Sequence, residues 1–163
     1  VRRFDLRSLR FHDESETWRV VPVEVAPFVF AGLEYAVAGG VVELELDVAR
    51  VGDTLTLTAS LETDVEGACQ RCLEPAVVHV AAQGLDVVRH GDSEVDDEDD
   101  ADAYATNFSV DVERWARDLI ADALPVQLLC RDDCAGLCPV CGADLNADPD
   151  HRHDEGAPAQ AGA

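Results

Sequence analysis

Residues 41–62 read VVELELDVARVGDTLTLTASLE. Val42, Leu44, Leu46 and Val48 alternate with Glu43, Glu45 and Asp47, and after a short break Leu55, Leu57, Ala59 and Leu61 alternate with Thr54, Thr56, Thr58 and Ser60. Successive side chains of a strand point to opposite faces, so each run makes a strand with one apolar and one wet face. Val51-Gly52-Asp53 supplies the turn of an antiparallel hairpin. A third strand, Ala76 to Val88, returns after Glu74-Pro75, with Gly84 expected as a bulge. Three strands joined by short turns form an antiparallel β-meander.

C-terminal to the meander, residues 90–103 (HGDSEVDDEDDADA) hold eight acidic side chains and almost nothing apolar, the composition of a disordered acidic linker. Next, Val112, Trp115, Ala116, Leu119, Ile120, Ala123 and Leu124 recur at helical spacing, with Ser109 or Asp111 to cap the start and Pro125 to end it. This one amphipathic helix is expected to lay its stripe, Trp115 near the middle, across the apolar face of the sheet, which makes the class α+β. On the N-terminal side, Pro22 and Pro27 break VVPVEVAPFVFAGLEY (20–35) and leave an edge strand or extended connection, followed by a Gly39-Gly40 turn. Residues 1–19 carry five of the twelve arginines. Phe4 and Leu6 suggest a short strand, and Arg2, Arg3, Arg7 and Arg10, the basic cluster of the chain, read first as a solvated arm pairing with the acidic body, with direct RNA contact by this patch as the open alternative.

The chain divides into a sheet-plus-helix core (1–129), a small Cys/His module of zinc-knuckle type (130–153) and a disordered tail rich in Ala and Gly (154–163). With 163 residues it has the length of one domain, large enough not to depend on disulfides. Residue 1 is Val, which implies a removed initiator methionine or a start codon read as valine. The absence of a signal peptide or long apolar run points to a reduced, cytoplasmic protein without a membrane segment. The charge balance is 34 acidic residues against 12 basic ones, all arginine, for a net charge of −22. Such a field repels a phosphate backbone and excludes wide contact with nucleic acid. A basic protein partner is the natural complement, beside the simpler role of an acidic solvating surface.

Six cysteines stand in two groups. Cys130-Arg-Asp-Asp-Cys134-Ala-Gly-Leu-Cys138-Pro-Val-Cys141-Gly142 has four thiols, and Cys138-Pro-Val-Cys141-Gly142 has zinc-knuckle spacing, followed by His151 and His153 on a short return. The expected shell is a single Zn2+ held by Cys134, Cys138, Cys141 and one of His151 or His153, with Cys130 as the competing fourth ligand. The other pair, Cys69 and Cys72, falls between the second and third strands. It reads first as a structural turn in which Cys69 continues the inward parity of Leu61 and Val65. The alternative joins Cys69 and Cys72 to Cys138 and Cys141 in one four-cysteine site, which also suits iron.

Taken in order, Cys69-Gln-Arg-Cys72-Leu-Glu-Pro75 in a turn, the acidic interval, the helix ending at Leu124-Pro125, and Cys130 through Cys141-Gly142-Ala-Asp-Leu-Asn146 resemble the YceD family over roughly residues 30–155. That family is implicated in accumulation of large-subunit ribosomal RNA in bacteria and plastids. The resemblance implies a non-enzymatic role in large-subunit biogenesis, supporting 23S rRNA, with a large-subunit precursor or a basic ribosomal protein as partner. Where many Cys-rich relatives carry Cys-x-Cys after Leu-Asn, this chain has His151-Arg-His153, which exchanges one zinc donor for another. Two other classes compete. A zinc-ribbon nucleic-acid binder needs basic residues around the knuckle, where only Arg131 and Arg152 stand, and a thiol oxidoreductase using Cys69 and Cys72 needs a helix N-terminus that the local sequence does not supply. No Gly-rich phosphate loop, nucleophile motif or paired acid and base suggests another enzyme.

Overall fold

The computed structural model describes residues 2–9, 16–30, 32–89, 103–106 and 108–153. In chain order the elements are β1 (Phe4–Asp5), β2 (Glu16–Glu24), β3 (Phe28–Phe30), β4 (Leu33–Val37), β5 (Val41–Val51), β6 (Thr54–Ala68), β7 (Pro75–Arg89), β8 (Ala105–Thr106), β9 (Ser109–Val110) and α1 (Val112–Ala123). The acidic run and the C-terminal tail expected to be disordered fall almost wholly outside the described residues. The class is α+β, a mostly antiparallel β-structure with one helix.

β6 is the axis. β7 pairs with it along its whole length, from Thr54↔Arg89 to Ala68↔Pro75. Its other edge is shared: β5 covers Thr54–Ser60 and β4 covers Val65–Gly67. Beyond these lie β2 on β5 and β3 on β4. β2 is the edge strand that Pro22 demands, because an edge position spares its missing N–H. The meander is therefore the centre of a six-stranded sheet whose outer strands come from the proline-broken segment.

The alternation read in the sequence holds through the sheet: Val42, Leu44, Leu46, Val48, Leu55, Leu57, Ala59, Leu61 and Val65 are buried. Onto this face α1 packs Val112, Trp115, Ala116 and Ile120. The Asp111 carboxylate caps the helix by accepting from the Arg114 N–H at 3.1 Å, and Arg117 ties the helix to the β2–β3 connection by donating to the Ala26 carbonyl at 2.6 Å. The bulge expected at Gly84 is absent, since Gly84 stays in register opposite Ala59. Its reason is packing: a Cβ there would meet Trp115 Nε1 at 2.9 Å and Leu119 Cδ2 at 3.0 Å. The N-terminal strand is only two residues long and runs into a 3-10 turn that buries Leu6. Arg2 and Arg3 pair with Glu113 and Asp111 at 3.4 and 3.7 Å, so part of the basic arm does lie on the acidic body. No helix among the described residues is long and apolar enough to cross a membrane.

Candidate metal centres

β6 and β7 are joined by the turn Cys69–Glu74, closed by hydrogen bonds from Cys69 N–H to the Glu74 carbonyl (2.8 Å) and from Leu73 N–H to the Cys69 carbonyl (2.9 Å). Cys69 does continue the inward parity of β6 and is fully buried. α1 ends at Ala123, and the chain then passes this turn: Gln70 N–H donates to the Leu128 carbonyl at 2.9 Å, and Leu137 N–H to the Arg71 carbonyl at 3.0 Å. The Arg71 guanidinium holds the Cys134 carbonyl at 3.0 Å and Gln127 Oε1 at 3.2 Å. Gly136, at φ 78°, permits the close approach, since a Cβ there would stand 2.9 Å from the Arg71 carbonyl oxygen. These contacts deliver Cys130 and Cys134 to the two turn cysteines.

The eight sequence candidates thus fall into two groups of four, Cys69, Cys72, Cys130 and Cys134 in one, and Cys138, Cys141, His151 and His153 in the other. Within each group the donor atoms all lie within 4.8 Å of one another. The grouping differs from the single shell expected from spacing: Cys134 is gathered with Cys130 and the turn pair, and both histidines face Cys138 and Cys141. The four-cysteine alternative also differs, because Cys69 and Cys72 meet Cys130 and Cys134 instead of the knuckle.

The distances suit a tetrahedral ion. Metal–sulfur bonds of about 2.3 Å place sulfurs about 3.8 Å apart; Cys69 and Cys134 Sγ are 3.8 Å apart, and Cys72 and Cys130 Sγ 3.6 Å. In the second group Cys138 Sγ is 3.1 Å from His153 Nε2, Cys141 Sγ 3.3 Å from His151 Nε2, and the two Nε2 atoms are 3.1 Å apart. These values run slightly below the roughly 3.3–3.6 Å of a mixed sulfur and nitrogen shell. The knuckle is formed by Cys138 N–H donating to the Ala143 carbonyl and Gly142 N–H to the Cys138 carbonyl, both at 2.8 Å, with Gly142 at φ 74°. All six cysteines are free thiols.

Electrostatics differ from thiol to thiol. Burial pushes Cys69 up, but the backbone N–H groups of Arg71, Cys72 and Cys130 outweigh it and bring the thiol down to about 6. Cys130 is pushed up to about 12, first by its hydrogen bond with Cys72 and then by burial. Cys138 comes down to about 6 because the N–H groups of Cys141 and Val140, and then His153, face its sulfur. Each group therefore has one thiol that ionises readily beside others available as further donors, a chemistry suited to replacing protons by a cation.

Supporting residues were less legible in the sequence. Asp148 Oδ2 lies 3.8 Å from His151 Nδ1, on the ring nitrogen that faces away from the cluster. Asn146 hydrogen-bonds to both the 130–135 loop and Asp144, a role hinted at only by an Asp-x-Asn pattern in a short polar turn.

The family model described as "Large ribosomal RNA subunit accumulation protein YceD" matches residues 57–161, a span holding β6 from Leu57 onward, β7, α1 and both donor groups. The chain is 32% identical over 119 residues to an uncharacterized protein of Mycobacterium tuberculosis, covering 72% of this chain and 58% of that one. An uncharacterized protein of Mycobacterium leprae is 31% identical over 127 residues, 76% of this chain and 58% of its own length. The chain thus spans less than two thirds of the curated relatives it matches. It is also 25% identical over 132 residues (63% of this chain, 45% of the other) to the maize protein named large ribosomal RNA subunit accumulation protein YCED homolog 1, chloroplastic. No solved structure matches it. With the family match extending over most of the chain and over every candidate donor, this protein belongs to the YceD family of large ribosomal RNA subunit accumulation proteins.

Proposed function

We propose that this chain is a non-enzymatic, cytoplasmic factor in large ribosomal subunit biogenesis that supports 23S rRNA accumulation and processing by binding a ribosomal protein or a pre-ribosomal particle. The observation that carries this reading is the family match itself, which spans the sheet axis, the helix and both donor groups. In this reading Cys69, Cys72, Cys130 and Cys134, and Cys138, Cys141, His151 and His153, hold Zn2+ in a structural role. Four protein donors in each group leave no position for a reacting water, the pattern of structural rather than catalytic zinc. Iron in the four-cysteine group is the alternative, and a red colour in the purified protein would decide for it. Residues 130–153 then act as a module clamped to the core through the β6–β7 turn.

The wet face of the sheet favours a basic protein partner over RNA. It presents Glu43, Glu45 and Asp47 from β5 and Glu62, Asp64 and Glu66 from β6, with the exposed Trp18 on the neighbouring edge strand. Where β5 stops pairing with β6, a cleft of about 620 Å³ opens between Glu43, Glu45, Ser60, Glu62 and Gln83. The two arginines near the knuckle are engaged locally, Arg131 with Asn146 and Asp133, and Arg152 with the carbonyls of Pro149 and His151. An oxidoreductase is disfavoured because Cys69 is buried in a hairpin turn.

Sucrose-gradient fractionation of cells carrying the tagged chain tests the proposal. Comigration with large-subunit precursors that survives mild nuclease treatment is the expected result, together with reduced 23S rRNA on depletion. A chain that stays at the top of the gradient, with 23S rRNA unchanged on depletion, would refute it.

A further inference from the structure

The two donor groups are connected through one side chain. Asn146 Oδ1 accepts from the Ala135 N–H at 2.8 Å and from Arg131 Nη2 at 2.7 Å, both in the loop that carries Cys130 and Cys134. Its Nδ2 donates to Asp144 Oδ1 at 2.8 Å and approaches Cys134 Sγ at 3.7 Å, while its backbone N–H donates to the same Asp144 oxygen at 2.9 Å. Asp144 in turn bridges to Leu137, next to Cys138, and Leu145 N–H donates to the Gly136 carbonyl at 3.0 Å. One carboxamide therefore bonds the loop of the four-cysteine group on one side and the turn of the Cys/His group on the other.

The groups are unequal in what else holds them. Cys69, Cys72 and Cys134 are buried against the β6–β7 turn and belong to the continuous apolar core. The Cys/His donors all come from residues 138–153, in which Cys138 is the only buried side chain among the described residues. A segment so poor in apolar burial cannot offset its ordering entropy unaided. Its attachment passes through residues 134–137, which Arg71 also holds through its carbonyl and guanidinium, and through Asn146, which sits against the Cys134 sulfur.

We propose that the two groups form two linked metal centres, the four-cysteine centre filling first, and that Asn146 is the positioning residue that couples them. This rests on the metal reading of the donor groups. Linkage is reciprocal, so each ion strengthens the other by the same factor. The four-cysteine centre leads because the folded body already gathers its donors. The amide of Asn146, 3.7 Å from the Cys134 sulfur, also orients that donor, as outer-shell hydrogen bonds to metal-ligating side chains do generally.

The test is zinc titration of the full reduced chain against a chromophoric chelator. Wild type should bind two ions in two steps. Asn146→Ala should still bind two at saturation, with an unchanged strand signal in circular dichroism and the weaker ion's affinity reduced about 10- to 100-fold. Cys141→Ser should retain one ion, whereas Cys69→Ser should hold less than one at a zinc level that saturates Cys141→Ser. In Cys141→Ser loaded with one equivalent of Co2+, which goes to the intact four-cysteine centre ahead of the three remaining Cys/His donors, adding Asn146→Ala should shift the thiolate-to-metal charge-transfer band; loss of packing away from that sulfur would leave the band in place. Two ions bound by Asn146→Ala with wild-type affinities, or a Cys69→Ser chain that keeps its second ion at full strength, would overturn the coupling while leaving the metal reading intact. A wild-type chain that takes up no zinc would overturn both.

Discussion

Replacing Gly84 by Ala probes the contact between helix and sheet with the smallest possible perturbation. The added methyl would start 2.9 Å from Trp115 Nε1 and 3.0 Å from Leu119 Cδ2. Leu119 can turn its branched end away. Trp115 has less freedom, since it is buried and stacked on Tyr104 with ring centroids 5.0 Å apart and planes within 4°. Overpacking of a well-filled core costs about 1–3 kcal/mol. Against this stands the gain from removing a flexible glycine from a strand, about 0.5–1 kcal/mol. The net expectation is a loss of up to about 2.5 kcal/mol, centred near 1, which lowers Tm by up to about 10 °C in a chain of this size. Thermal and urea unfolding followed by circular dichroism would measure it. In a Trp115→Phe background, which withdraws the indole nitrogen, the same substitution should become neutral or favourable, giving a coupling of about 1 kcal/mol or more. A Gly84→Ala chain clearly more stable than wild type, with no coupling to Trp115→Phe, would show that the helix does not cross β7 there.

Two further outcomes follow from the same contacts. Asp111→Ala removes the α1 cap and the Arg3 pairing, and should cost about 1 kcal/mol in urea unfolding, with Asp111→Asn retaining most of it. Chelation should leave the strand signal of the core intact while opening residues 135–153 to trypsin at Arg152, because β5, β6, β7 and α1 bury their apolar faces without the sulfur clusters; concerted unfolding of the whole chain on chelation would show instead that the β6–β7 turn needs its ion to form.

The sheet was legible where the pattern was local. Val42 to Val48 and Leu55 to Leu61 alternate strictly because one face is wet, and the helical stripe around Trp115 needs only its own spacing. Pro22 placed β2 at an edge and β3 follows Pro27 at the other, but the same 20–35 stretch also begins β4, which lies inside the sheet between β3 and β6. What could not be read was pairing at a distance: β4 joins the far half of β6 through Tyr35↔Gly67, a contact that no periodicity in either segment encodes. Gly84 misled because a strand glycine signals either a bulge or a close approach, and only the position of Trp115 distinguishes them. The donor residues themselves were all recognisable, but their grouping was not. Spacing favours neighbours, which linked Cys134 to Cys138, whereas the 15-residue strands β6 and β7 carry Cys69 and Cys72 to the end of α1, where Cys130 and Cys134 emerge. The inward parity of Cys69 and its membership of a donor group were set against each other as alternatives, and in the fold they coexist because the turn closes over the core.

The central claim, two four-donor centres in place of one, is tested most directly by native mass spectrometry of the reduced chain after brief alkylation. Two zinc ions with all six cysteines protected is the predicted spectrum. One ion per chain, with Cys69 and Cys72 alkylated, would return the site to the tail alone and contradict the account.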